Sequence, residues 1–125
     1  MKQRGDDEPV AYLVGEQEFF SLPFHVDPRV LVPRPETEIL VEQALLRLED
    51  VEKPVIADVG TGSGCIAVAL LVEREDARCH AIDVSADALD VARANAERHE
   101  VEARVRLHCG AGLEPLAEHG HHLSL

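Results

Sequence analysis

Eight consecutive residues, Asp58-Val59-Gly60-Thr61-Gly62-Ser63-Gly64-Cys65, follow an apolar run and place glycine at every second position. A strand cannot continue through glycines at that density, and the backbone is free there to adopt the positive φ values of a tight turn. Apolar residues resume at once, with Ile66, Ala67, Ala69 and Leu70 on the face of a packed helix over 64–74. Residues 54–59 (PVIADV) therefore read as a short buried strand, leading through a glycine turn into a helix.

The same alternation continues downstream. Residues 77–84 (ARCHAIDV) form a second strand ending at Asp83. Ser85 is placed to cap a helix over 86–100, and 103–109 (ARVRLHC) reads as a third strand with Val105, Leu107 and Cys109 on one face. In that second helix Ala88, Leu89, Ala92 and Ala96 can pack inward, while the ANAERH stretch reads as polar. Strand and helix in turn predict an α/β fold with a parallel sheet and right-handed crossovers. Upstream, EFFSLPFHVD carries Phe19, Phe20 and Phe24 around Pro23, which predicts a β-hairpin turning at the proline. A proline-rich VPRPETE string follows, with Pro35 suited to a first helical turn. Ile39, Leu40, Ala44, Leu45 and Leu48 then mark an amphipathic helix to about Asp50, expected to cover the sheet. The chain divides into residues 1–35, with the hairpin and proline-rich loop, and residues 36–125, the α/β part.

Composition excludes several partners. Apolar residues make up 46% of the 125 and charged residues 29%, and no apolar run approaches the ~20 residues that span a bilayer. Twelve basic against 24 acidic residues leave a formal charge of −12, which opposes nonspecific binding to nucleic acid or an anionic membrane. The amino terminus, MKQRGDDEPV, lacks the apolar stretch of a secretory signal, so a cytoplasmic address is expected. Cys65, Cys79 and Cys109 show no metal spacing and read as buried free thiols. His119, His121 and His122 read as a frayed tail, and no metal is expected.

The glycine spacing narrows the ligand. A dinucleotide fingerprint, G-x-G-x-x-G, needs its third glycine at Cys65; here the third is Gly64. Backbone amides at the helix amino terminus are expected to approach a ligand there, and a carboxylate suits that position as well as a phosphate. Asp83 closes the second strand 23 residues after Gly60, where α/β nucleotide sites present a carboxylate to ribose hydroxyls.

Asp58 followed by Gly60-x-Gly62-x-Gly64 resembles the first motif of class I S-adenosylmethionine-dependent methyltransferases, which have a Rossmann-like fold. Residues 14–45, and above all LVPRPETE at 31–38, are similar to the segment preceding the catalytic core in the release-factor glutamine methyltransferases, the HemK/PrmC group. The similarity runs from about Glu8 to Leu116. It implies the amino-terminal half of the class I sheet, preceded by a hairpin and a helix. It also implies methyl transfer from S-adenosylmethionine to the glutamine side-chain amide of the Gly-Gly-Gln loop of peptide chain release factors. Asp58, Gly60, Thr61, Ser63, Gly62 and Gly64 would then hold the methionine end of the cofactor and Asp83 its ribose. Pro33, Arg34, Pro35 and Glu36 would line the floor near the methyl group or the substrate. Two other readings of the same residues are a module that binds the cofactor without transferring a methyl group, and an NAD-binding oxidoreductase domain.

The family's Asn-Pro-Pro-Tyr motif, which orients the glutamine amide, does not occur in these 125 residues, so the resemblance supplies no catalytic residue. Its amino-terminal helical domain is also unmatched. Where the family has Gly-Asp after the third strand, with the aspartate on the adenine amino group, this chain has Gly110-Ala111. The loss of one charge-assisted hydrogen bond, ~1.5–3 kcal/mol, predicts a weak cofactor site. In the class I fold the first strand pairs with a fourth, which predicts self-association through that edge.

Overall fold

The computed structural model describes residues 13–112. Strand β1 (Glu16–Phe19) pairs antiparallel with β2 (Leu22–His25), Phe19 lying opposite Leu22 and Glu18 opposite Pro23. The two-residue turn is therefore Phe20-Ser21, both with positive φ, 52° and 63°. That geometry matches the twist of the paired strands, and it corrects the expectation of a turn at Pro23. A two-stranded ribbon has open edges, so β2 tolerates a residue without an N–H. The turn is also held from outside, because the Phe20 N–H donates to Glu38 Oε2 at 2.8 Å. Phe19 and Phe24 are buried and meet edge to face, with centroids 6.2 Å apart.

Helix α1 (Thr37–Arg47) is shorter than expected, its end fastened by Arg74, which donates to the carbonyls of Leu48 and Val51 at 2.7 Å each. Pro35 precedes the helix rather than lying in its first turn. The buried stripe runs through Val41 and Leu48, with Ala44 and Leu45 partly covered, while Ile39 and Leu40 remain 55% and 59% exposed. Ala44, Leu45 and Leu48 thus lie on the expected face, while Val41 takes the place expected of Ile39 and Leu40, and the helix packs chiefly against the next helix rather than directly on the sheet.

Strands β3 (Val55–Val59), β4 (Arg78–Asp83) and β5 (Val105–Cys109) form a parallel sheet in the order β3-β4-β5. Ile56 pairs with Cys79, and Cys79 with Val105. The crossovers are α2 (Cys65–Glu73) and α3 (Ala86–Arg98), the latter capped by Ser85 Oγ accepting from the Ala88 N–H. Cys79 through Ile82 are buried in succession, as a central parallel strand requires. β5 starts later than expected because Glu102–Arg104 is a 3-10 turn. There the Arg104 guanidinium donates to the carbonyls of Leu71, Arg74 and Ala77, closing the carboxyl end of α2.

Cys65 and Cys79 are buried, but Cys109, at the end of β5, is exposed. β5 ends the described sheet on its side, so its last residue has little over it. Among the described residues no helix is long and apolar enough to cross a membrane. His119, His121 and His122 lie outside the described residues.

Candidate functional site

In a parallel sheet the carboxyl ends of neighbouring strands open toward the same side, and ligands bind in the crevice there. β3 delivers Asp58 and the glycine loop to that side, and β4 delivers Asp83. The three loop glycines all have positive φ: 73° at Gly60, 54° at Gly62 and 82° at Gly64. A side chain at Gly64 would also put its Cβ 3.1 Å from Ala92 Cβ and 3.2 Å from Ala92 Cα, so this glycine also permits the loop to approach α3.

The loop amides do not stand open as expected. The N–H groups of Gly60 and Thr61 donate to the Ile82 carbonyl at 2.7 and 3.0 Å, and that of Gly64 to the Thr61 carbonyl at 2.8 Å. The Gly62 N–H donates to Asp83 Oδ2 at 3.0 Å. The glycines thus allow the backbone to wind against the end of β4. Asp83 has a second internal partner, the Ser85 N–H on Oδ1 at 3.0 Å. Each carboxylate oxygen accepts in two directions, so one direction per oxygen is left for another donor.

Asp58 sits behind the loop. Its Oδ2 accepts the Thr61 hydroxyl at 2.8 Å. Burial pushes its carboxyl above the usual range, partly offset by the hydrogen bonds from Thr61 and the Ala67 N–H, and the Asp83 carboxylate adds to the rise.

A cavity of about 690 Å³ lies in front of the loop. One wall is Gly60 to Ser63 with Asp83; the facing wall is Leu31 to Arg34, with Arg29 and Thr37. The fold therefore joins seven of the expected residues, Pro33, Arg34, Gly60, Thr61, Gly62, Ser63 and Asp83, around one space. Asp58 and Gly64 support the loop from behind. Pro35 and Glu36 do not line the cavity; their carbonyls accept the N–H groups of Glu38 and Ile39 as α1 begins. Ala111 is exposed beyond β5 and is also outside the lining. A second hollow, about 440 Å³ along α3 and β5, touches none of these residues.

Two features beside the cavity were not anticipated. Asn95 is fully buried, although ANAERH read as polar. It stands four residues after Val91 and seven after Ala88, on the apolar stripe of α3, and that spacing was the available signal. The other feature is Asp27, which accepts Arg29 Nε at 3.0 Å on Oδ1 and Arg29 Nη2 at 2.7 Å on Oδ2, with His25 Nε2 3.0 Å from Oδ2. The Arg29 guanidinium is the main cause that holds this carboxyl well below the usual range.

A family model described as the methyltransferase small domain matches residues 35–120. The release factor glutamine methyltransferase of Chlorobaculum tepidum is 51% identical over 110 residues, covering 84% of this chain and 37% of that protein. The enzyme of the same description from Escherichia coli is 51% identical over 98 residues, covering 78% and 35%. The chain thus spans little more than a third of the length of these relatives. Among solved structures, an RNA methyltransferase from Salinibacter ruber in complex with S-adenosyl-L-homocysteine is 31% identical over 66% of this chain and 52% of its own, with a TM-score of 0.55. Precorrin 8W decarboxylase from Methanobacterium thermoautotrophicum superposes with a TM-score of 0.62 at 26% identity, covering 76% and 49%. The arrangement of strands and helices is that of the class I methyltransferase fold.

Proposed function

The chain belongs to the methyltransferase small domain family, and from that premise we propose that it is the S-adenosylmethionine-binding part of a protein-glutamine methyltransferase acting on peptide chain release factors. The observation that carries this reading is the meeting of two walls. The glycine loop and Asp83 face Pro33 and Arg34 of the LVPRPETE string across one cavity.

The residues present fit the cofactor. A volume of about 690 Å³ lies within the ~300–1,000 Å³ of small-molecule sites. In this reading the remaining acceptor directions of Asp83 take the two ribose hydroxyls. The amino end of α2 receives the methionine carboxylate, while the loop, its Gly60, Thr61, Gly62 and Gly64 amides already paired within the fold, shapes the wall beside it and is braced from behind by Asp58 on the Thr61 hydroxyl. When bound, S-adenosylmethionine supplies an electrophilic methyl group on a sulfonium. Pro33 and Arg34 face the incoming side chain, and Pro33 and Pro35 fix where Arg34 stands, since a proline on either side holds the backbone extended, while the Glu36 carbonyl accepts the Ile39 N–H as α1 begins. A glutamine amide nitrogen is a poor nucleophile, so alignment and exclusion of water by the half-buried Val32 and Pro33 are what this wall contributes. Ala111, just outside the cavity lining, has no side-chain acceptor to extend to the adenine amino group, which leaves the site weaker on that side. A release factor as substrate places the protein in the cytoplasm, and the charge of −12 disfavours RNA as the methyl acceptor.

Calorimetric titration with S-adenosylmethionine, S-adenosylhomocysteine and NAD tests the reading. Both sulfur ligands are expected to bind and NAD not, and Ala111→Asp is expected to tighten them about tenfold or more. Binding of NAD in preference to either would remove the cofactor assignment. Incubation with labelled cofactor and a purified release factor tests the acceptor, where label on RNA rather than on a glutamine would remove it.

A further inference from the structure

We propose that Asn95 is a positioning residue that sets the spacing between the two walls of the cavity, so that the amino-acid end of the cofactor is held only while its side-chain amide spans them. The inference rests on the S-adenosylmethionine reading above. Asn95 Nδ2 donates to the Ser63 carbonyl at 2.8 Å and to the His25 carbonyl at 3.0 Å, and its Oδ1 accepts the His25 N–H at 2.7 Å. Ser63 belongs to the glycine loop. His25 ends β2 and leads into the facing wall, where Val26 and Val30 pack on Ala88 and Val91 of α3. One planar amide on α3 thus fastens the loop with one hydrogen and the facing wall with the other hydrogen and the oxygen.

The chemistry admits few substitutes. Two donors and one acceptor are needed, in one plane, on a side chain with no exposure at all. An aspartate keeps the shape and the bond from the His25 N–H, but turns an acceptor toward two carbonyl oxygens. An aliphatic residue leaves two carbonyls and an N–H without a partner. Asn95 itself does not line the cavity, so any effect on a ligand passes through the loop and His25.

Two ligands separate positioning from general support of the fold: S-adenosylhomocysteine, which reaches the loop with its amino-acid end, and methylthioadenosine, which shares the nucleoside and sulfur but lacks that end. In Asn95→Asp the affinity for S-adenosylhomocysteine is expected to fall about tenfold or more, while that for methylthioadenosine changes less than about threefold. Equal losses for both ligands, or no loss, would overturn the proposal. In the unmodified chain, the Asn95 side-chain amide resonances are expected to shift with S-adenosylhomocysteine and much less with methylthioadenosine; equal shifts would count against it even if the variant does not fold. Should the unmodified chain bind neither ligand, the cofactor reading fails on its own. Amide exchange in the unliganded protein then decides the spacing role. Faster exchange in the variant at both Gly62 and Val26, whose N–H belongs to the same peptide unit as the His25 carbonyl, with β3 to β5 unchanged, supports it; a change at one wall alone, or throughout the sheet, refutes it.

Discussion

Asp58 and Asp83 differ in what the fold asks of each carboxylate. Asp83, at the end of β4, was legible from its distance to the glycines, although its work on the Gly62 and Ser85 amides was not. Asp58 is pressed behind the loop, and its carboxyl titrates above the ordinary value chiefly because of burial. A folded-state pKa above the unfolded one, ~3.9 for aspartate, means the folded chain binds the proton more tightly. Stability contributed by that group therefore falls as pH rises from the unfolded value through the folded one, and stays lower above both. Asp58→Asn keeps an oxygen acceptor for Thr61 or Ala67 and removes the charge. We expect it to melt higher than the parent at pH 7, with the gap closing as pH is lowered toward the unfolded value. Calorimetry across that range checks this, and a lower melting point at pH 7 would mean that the hydrogen bonds to the charged form outweigh its desolvation.

Elements were legible where a single period governs them. The strands and crossover helices of the sheet follow from alternating apolar runs and from Ser85 as a cap. β5 and α1 were misjudged at their boundaries because Arg104 and Arg74, reaching from elsewhere, decide where the chain turns. The hairpin illustrates a different limit. Its turn lies at Phe20-Ser21, with no glycine or asparagine to signal positive φ, and it is held by Phe20 packing on the core and by Glu38 on the Phe20 N–H. Ser21 is exposed and carries the strain without such compensation. Left-handed geometry costs a non-glycine residue ~1–2 kcal/mol, against the ~0.5–1 kcal/mol of backbone entropy that glycine loses on folding. Ser21→Gly is accordingly expected to raise the unfolding free energy by about 0.5–1 kcal/mol in urea. A loss instead would show that the serine side chain stabilises the turn.

At the scale of the whole molecule, the thiols report how the core is closed. Cys65 lies at the start of α2, at the inner edge of the cavity, and Cys79 in the central strand β4; both are buried, and burial pushes the Cys65 thiol up to about 11 and that of Cys79 up further. Only the thiolate reacts, so a thiol reagent at pH 8 is expected to modify Cys109 quickly. Cys65 and Cys79 should follow only at the rate at which the molecule opens, rising with urea. Fast reaction of more than one thiol would mean that the core admits the reagent without unfolding.

What the sequence by itself determined is local and periodic: a strand stopped by glycines, a helix resumed after them, a carboxylate at the end of the next strand, and a proline-rich string with a family's signature. Those follow from φ freedom, residue spacing and hydrogen-bonding capacity, all carried within a few neighbouring positions. The tertiary structure alone decided that Leu31 to Arg34 lie across a cavity from Gly60 to Ser63, and that Asn95, 32 residues after Ser63 and 70 after His25, joins the two sides. The physical reason is that a buried amide finds its partners only once distant segments have been packed together, and no local pattern states which carbonyls will be waiting there.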